Sequence, residues 1–189
     1  MKPEILKREI VYAGYMRVER LTLRLDGGHV VVREVESHGE SAAVLPYDPD
    51  SRVALIVSLL RAPPFDRAGE LAVEEACAGM IEDGDPEATA RREALEELGV
   101  RLDAVDFVAR VWPSPGVSAE RASLFLASYA PADRIAAGGG LAAEHENITV
   151  IERPLADLAA AADAGRIDDH KLLTLVQTLR LRRPELFRP

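Results

Sequence analysis

Cysteine is nearly absent from this chain of 189 residues: Cys77 stands alone, so no intrachain disulfide framework exists and a reducing compartment fits. A lone cysteine of this kind is read as a small buried core residue rather than a nucleophile. The four histidines, His29, His38, His145 and His170, are too scattered to form a structural zinc site. No apolar run approaches the ~20 residues of a membrane span. The opening stretch Met-Lys-Pro-Glu-Ile-Leu-Lys-Arg-Glu is charged where a signal peptide needs to be apolar, so the expected location is the cytoplasm with no membrane partner. Positive charge is short as well: 23 Lys and Arg face 32 Asp and Glu, a net charge of −9. That balance argues against a protein that grips nucleic acid. A small anionic ligand stays compatible with it if local cations or metal ions meet the ligand. No internal repeat or low-complexity linker interrupts the chain.

What is present is a globular composition, 48% hydrophobic and 29% charged, on a length that buries a sizeable core without staples. The first forty residues read as strands. Val18, Leu21, Leu23 and Leu25 lie in a largely alternating stretch, Asp26-Gly27-Gly28 supplies a turn, and His29 to Val35 returns as a β-branched run, a hairpin signal. Ala42 to Tyr47 and Val53 to Leu60 are two more strands around the turn Asp48-Pro49-Asp50-Ser51. Leu71 to Ala78 is extended in character. Strands are also expected over Val105 to Trp112, Ala122 to Tyr129 and Ile148 to Glu152, with Gly138-Gly139-Gly140 in a long polar loop. Leu155, Leu158, Ala159 and Ala162 mark one C-terminal helix, and Leu172, Leu175, Val176 and Leu179 another. This order predicts an α+β fold with helices packed on mixed or antiparallel sheets, and a soft boundary near residue 41.

One helix breaks a local rule. Asp85-Pro86 opens it, with Asp at the N-cap and Pro at the first helical position, and Gly99 closes it. Glu93, Glu96 and Glu97 then sit near its C-terminus, where the helix dipole disfavours acids. Glu93 and Glu97 are four apart and share a face, repelling by a few tenths of a kcal/mol, and Arg91 and Arg92 offset only part of this. Carboxylates held on one rigid face are what a hard cation such as Mg²⁺ requires.

The segment Gly79 to Val100 resembles the Nudix box. Its second half is present as Arg92-Glu93-Ala94-Leu95-Glu96-Glu97-Leu98-Gly99-Val100, and its opening glycine as Gly79. Between them the chain is one residue shorter than the full pattern, and Asp85 stands where Glu is usual. Further along, Arg33-Glu34-Val35, Cys77-Ala78-Gly79, Ser114-Pro115-Gly116 followed by Glu120, the triple glycine leading to Glu144-His145-Glu146, and Asp169-His170-Lys171 are similar to the nucleoside-diphosphate-sugar pyrophosphatases of that superfamily, the GDP-mannose pyrophosphatase branch above all.

The resemblance implies a Nudix fold, an α/β/α sandwich with a mixed sheet. It also implies an N-terminal antiparallel sheet over residues 1–41 that dimerises, ahead of a hydrolase domain over 42–189. It implies Mg²⁺ (Mn²⁺ as a substitute) held by Glu93, Glu97 and the carbonyl of Ala78, with Glu96 auxiliary. Glu146, or its neighbour Glu144, becomes the loop ligand or general base beside catalytic Glu93 and Glu97. Tyr15, Arg33, Glu34, Arg61, Gly79, Glu120 and Lys171 are implied to contact substrate, Arg33 across a homodimer. The expected reaction is hydrolysis of a nucleoside diphosphate sugar to a nucleoside monophosphate and a sugar 1-phosphate. Hydrolysis of ADP-ribose to AMP and ribose 5-phosphate is the nearest alternative, and a non-catalytic binding module on the same fold the more distant one. Ser58-Leu59-Leu60-Arg61 replaces an Arg-Gln-Phe-Arg of the relatives, which leaves the substrate open.

Overall fold

The computed structural model describes residues 2–82, 84–141 and 147–188. They form two compact units. One comprises Met1–Glu40 and Val111–Ala122, the other Ser41–Arg110 and Ser123–Pro189.

The first unit is built on an antiparallel sheet of β1 (Glu4–Ala13), β2 (Arg17–Arg24) and β3 (Val30–Ser37), in that order. The β2–β3 hairpin turns through Gly27 and Gly28, whose φ values of 84° and 82° suit residues without a Cβ. Leu25 and His29 close the turn, the Leu25 amide donating to the His29 carbonyl at 2.8 Å. Strand β1 is exposed along its whole length, Ile5, Ile10 and Tyr12 included. The segment after Val111 joins this unit through backbone bonds of Glu36, which donates to Val117 and accepts from Ala119. Trp112 is half-exposed and carries the Arg121 guanidinium over its ring at 4.6 Å.

The second unit holds a seven-stranded mixed sheet. Its path is β10 (Thr149–Pro154), β5 (Val53–Leu59), β4 (Ser41–Asp48), β9 (Ala122–Ser128), β8 (Asp106–Val111); β6 (Val73–Glu75) pairs with β5 and β7 (Cys77–Met80) with β4. Four α-helices are seen among the described residues: α1 (Ala62–Ala68), α2 (Pro86–Leu98), α3 (Leu155–Asp163) and α4 (His170–Arg182). The expected α+β class is the one observed.

Helix α2 is anchored by apolar burial. Ala90, Ala94 and Leu98 pack with Val44, Leu55, Val57, Cys77 and Phe125 in the main core. Each large side chain fully buried there stabilises the fold by about 1.5–3 kcal/mol. This packing fixes the adjoining strip of α2, which carries Glu93 and Glu97, against β7. The helix begins as expected, the Asp85 carboxylate accepting from the amides of Glu87 (2.9 Å) and Ala88 (3.1 Å), and ends at Gly99 with φ 70°.

Candidate active site

Residues 75–79 gather the site of the second unit. Glu93 and Glu97 lie one turn apart on α2 and are both nearly buried. The Ala78 amide donates to Glu97 Oε2 at 3.1 Å. Gly79 faces Glu93 so closely that a Cβ there would overlap the Glu93 carboxylate. Gly79 carries no positive φ, so the glycine is needed for this close approach and not for a turn. Arg92 lies against both remaining acids, 2.6 Å from Glu93 Oε1 and 2.8 Å from Glu96 Oε2. Partial burial alone would lower its basicity, but the charges of Glu93 and Glu96 outweigh this and raise it.

The same stretch of chain holds two cations. Glu75, buried at the end of β6, binds Arg61 bidentately, Nε to Oε1 at 2.8 Å and Nη2 to Oε2 at 3.1 Å. Lys171 Nζ stands 3.6 Å from Glu75 Oε2 and 2.8 Å from Asp169 Oδ1. The Glu75 bond raises the Arg61 pKa against the effect of burial, with further raising from the charges of Glu97 and Asp169. Asp169 is the N-cap of α4. Its carboxylate accepts from the amides of Lys171 (3.2 Å), Leu172 (3.0 Å) and, across the fold, Ala76 (3.1 Å). Burial pushes the Asp169 carboxyl up, yet Lys171 and these amides prevail and hold it below the usual carboxylate value.

The triple glycine is docked on α2. The Gly139 amide donates to the Glu97 carbonyl at 2.8 Å and the Gly140 amide to the Glu96 carbonyl at 3.1 Å. These carbonyls are among the four that a helix C-terminus leaves without internal partners. Main-chain N–H dipoles therefore meet the negative end of the acidic helix, where sequence logic looks for Lys or Arg.

The expected site residues thus fall into two groups. Arg61, Ala78, Gly79, Glu93, Glu97 and Lys171 are brought together in the second unit, with Glu96 turned to Arg92. In the first unit, Arg33 and Glu34 are adjacent on β3 and so project to opposite faces of the sheet. Arg33 donates to the Val32 carbonyl (2.8 Å) and Glu34 pairs with Arg20 (3.1 Å). Tyr15 stacks on His38 at 6.5 Å between ring centroids, and His38 Nε2 is 3.6 Å from Glu120 Oε2. Glu144 and Glu146 lie outside the described residues. Sequence reasoning quoted Asp169 only within the Asp169-His170-Lys171 motif, without the capping role that its position signals, and passed over Glu75, which nothing local marked.

Among the described residues no three His, Cys, Asp or Glu side chains are already grouped to hold a metal ion. The donor chemistry nevertheless fits a hard divalent cation: two buried carboxylates share one rigid helix face, and Gly79 leaves the space that the Glu93 carboxylate fills. No helix among the described residues is long and apolar enough to cross a membrane.

Residues 37–175 match the family model described as the NUDIX domain. The chain is similar to a GDP-mannose pyrophosphatase of Cronobacter sakazakii, 35% identical over 184 residues and 95% of each chain. It is likewise similar to one of Yersinia pestis, 33% identical over 94% of this chain and 91% of the relative. Among solved structures, the crystal structure of an ADP compounds hydrolase superposes with a TM-score of 0.79 over 100% of this chain and 98% of that one, at 18% identity, a likeness of fold. With the box laid across β7 and α2 and the family match spanning most of its length, the chain belongs to the Nudix family and is a Nudix hydrolase.

Proposed function

We propose that this hydrolase cleaves the diphosphate of a nucleoside diphosphate sugar of the GDP-mannose kind, with Mg²⁺, to a nucleoside monophosphate and a sugar 1-phosphate. One observation carries the reading: a single short stretch, residues 75–79, holds the buried acids Glu93 and Glu97 and, beside them, the paired cations Arg61 and Lys171. Acids suit a divalent cation, and fixed cations suit the dispersed negative charge of a diphosphate. The GDP-mannose pyrophosphatase relatives, alike over nearly the full length, support the sugar nucleotide.

In this reading Glu93, Glu97 and the carbonyl of Ala78 hold the metal, with Glu96 auxiliary once Arg92 yields it. A bound divalent cation supplies positive charge to the phosphates and makes a water more acidic. Arg61 and Lys171 grip phosphate oxygens and orient the scissile bond. Glu146 takes the proton of the attacking water, a role worth about 10²–10⁴-fold in rate. Tyr15, Arg33, Glu34 and Glu120 contact nucleotide or sugar, Arg33 from the partner of a homodimer. The exposed apolar residues of β1 support that dimer. The single cysteine supports a cytoplasmic setting.

A panel assay tests the proposal: phosphate release through a coupled phosphatase from GDP-mannose, ADP-ribose, ADP-glucose and dinucleotides, with Mg²⁺. Highest kcat/KM on a nucleoside diphosphate hexose is the expected result. Preference for ADP-ribose would move the substrate to the alternative, and turnover of none would reduce the chain to a binding module.

A further inference from the structure

Glu75 stands in this neighbourhood without a place in the reaction as proposed so far. It lies upstream of the box on β6, opposite Val57 of β5, and its carboxylate is buried. It contacts two cations from distant parts of the chain, Arg61 at the N-cap of α1 and Lys171 in the first turn of α4. A guanidinium is a rigid planar fork with five N–H donors, so fixing two of them aims the other three. Here Nε–H and one Nη2–H are committed to Glu75, while the Arg61 side chain remains 45% exposed. The uncommitted edge therefore faces away from Glu75 and out of the core. Lys171, 17% exposed, is held between Asp169 and Glu75. One buried carboxylate thus sets the direction of Arg61 and, together with the closer Asp169, the position of Lys171.

We propose that Glu75 is a positioning residue which presets Arg61 and Lys171 as a paired cationic grip for the diphosphate of the substrate. The proposal rests on the diphosphate reading given above. It differs from a purely structural ion pair, which would contribute to folding and leave catalysis alone. A Gln at 75 accepts from one Arg61 donor but turns its own NH₂ toward the other, so the fork loses its aim.

The test compares Glu75→Gln, Arg61→Ala, Arg61→Lys and the Glu75→Gln/Arg61→Ala pair on the best substrate of the panel. Separate kcat and KM values and thermal midpoints are measured for each. We expect kcat/KM to fall about 10- to 100-fold in Glu75→Gln, as for loss of a charged hydrogen bond. The double variant should fall no further than Arg61→Ala by more than about 3-fold, since residues acting through one another are not additive. Arg61→Lys keeps charge and loses the fork, so it should resemble Arg61→Ala, and this arm stands even if Glu75→Gln does not fold. A lowered thermal midpoint in Glu75→Gln with kcat and KM within about 2-fold of the parent would overturn the proposal, as would full activity in Arg61→Lys. Failure of the diphosphate reading itself looks different, because the parent enzyme then turns over no diphosphate.

Discussion

The amide of Ala78 donates to the carboxylate of Glu97 across 3.1 Å, joining strand β7 to helix α2 at a residue proposed to hold the metal. A glutamine at 97 can still accept that hydrogen bond, so the joint survives while the charge is lost. Glu97→Gln is therefore expected to keep its fold by circular dichroism and to lose at least about 100-fold in kcat/KM, the scale of removing a key charge-stabilising group. A chelator should silence the parent enzyme and added Mg²⁺ restore it. Full activity of Glu97→Gln would sink the metal assignment.

Gly79 makes a second, sharper case. An alanine there puts a methyl where the Glu93 carboxylate lies. Overpacking of this kind costs about 1–3 kcal/mol, read as a lowered urea midpoint together with lost turnover. Adding Glu93→Ala to Gly79→Ala should recover much of the stability and none of the activity. If Gly79→Ala alone is as stable as the parent, the close approach is not the reason for the glycine.

Asp169 links the site to acid stability. Its carboxyl titrates below the usual value when folded, so its contribution is complete above the unfolded value near pH 4 and fades as pH falls through the lowered folded one. Asp169→Asn keeps the capping shape but cannot change charge. Its urea midpoint should therefore fall less steeply than the parent's as pH drops below about 4. Parallel pH profiles would remove Asp169 from the account.

Gly138 has φ 70°, and a Cβ on it would overlap the Glu97 carbonyl. Gly138→Ala should lower the thermal midpoint, with a cost of about 1–3 kcal/mol. An unchanged midpoint would mean that the glycine loop can leave the helix end without consequence.

Much of this architecture could be read from residue order. The caps of α2 at Asp85 and Gly99, the Asp26-Gly27-Gly28 hairpin and the shared face of Glu93 and Glu97 are local or one-turn relationships, and such patterns survive folding unchanged. Helix α1 was not expected: its seven residues include Pro63 and Pro64, which a helix tolerates only at its start. At the first turn of a helix they forfeit amides that would have had no partner anyway. The role of Glu75 was hidden for another reason: its partners Arg61 and Lys171 come to it only through strand pairing and the docking of α4. Likewise the Asp169–Ala76 bond spans 93 residues, and no window of sequence contains it. Gly138-Gly139-Gly140 read as a polar loop, and only the fold shows the Gly139 and Gly140 amides meeting the Glu97 and Glu96 carbonyls.

The box of this chain is one residue shorter than its family's pattern, and the fold shows where a deletion is harmless. Strand β7 ends at Met80, and α2 is capped anew at Asp85. A residue lost between these points alters neither the spacing within residues 75–79 nor the phase of α2. One lost within 75–79 would shift Glu75 and Ala76 against Ala78 and Gly79, and with them the contacts to Arg61 and Asp169 against those to Glu97 and Glu93. Length variation among relatives should therefore collect between Met80 and the first turns of α2 and be scarce in the five residues 75–79. With Asp85 at the acidic position of the pattern, this chain's own shortening falls between Asp85 and Arg92, where capping the helix one residue later leaves Glu93 and Glu97 facing β7.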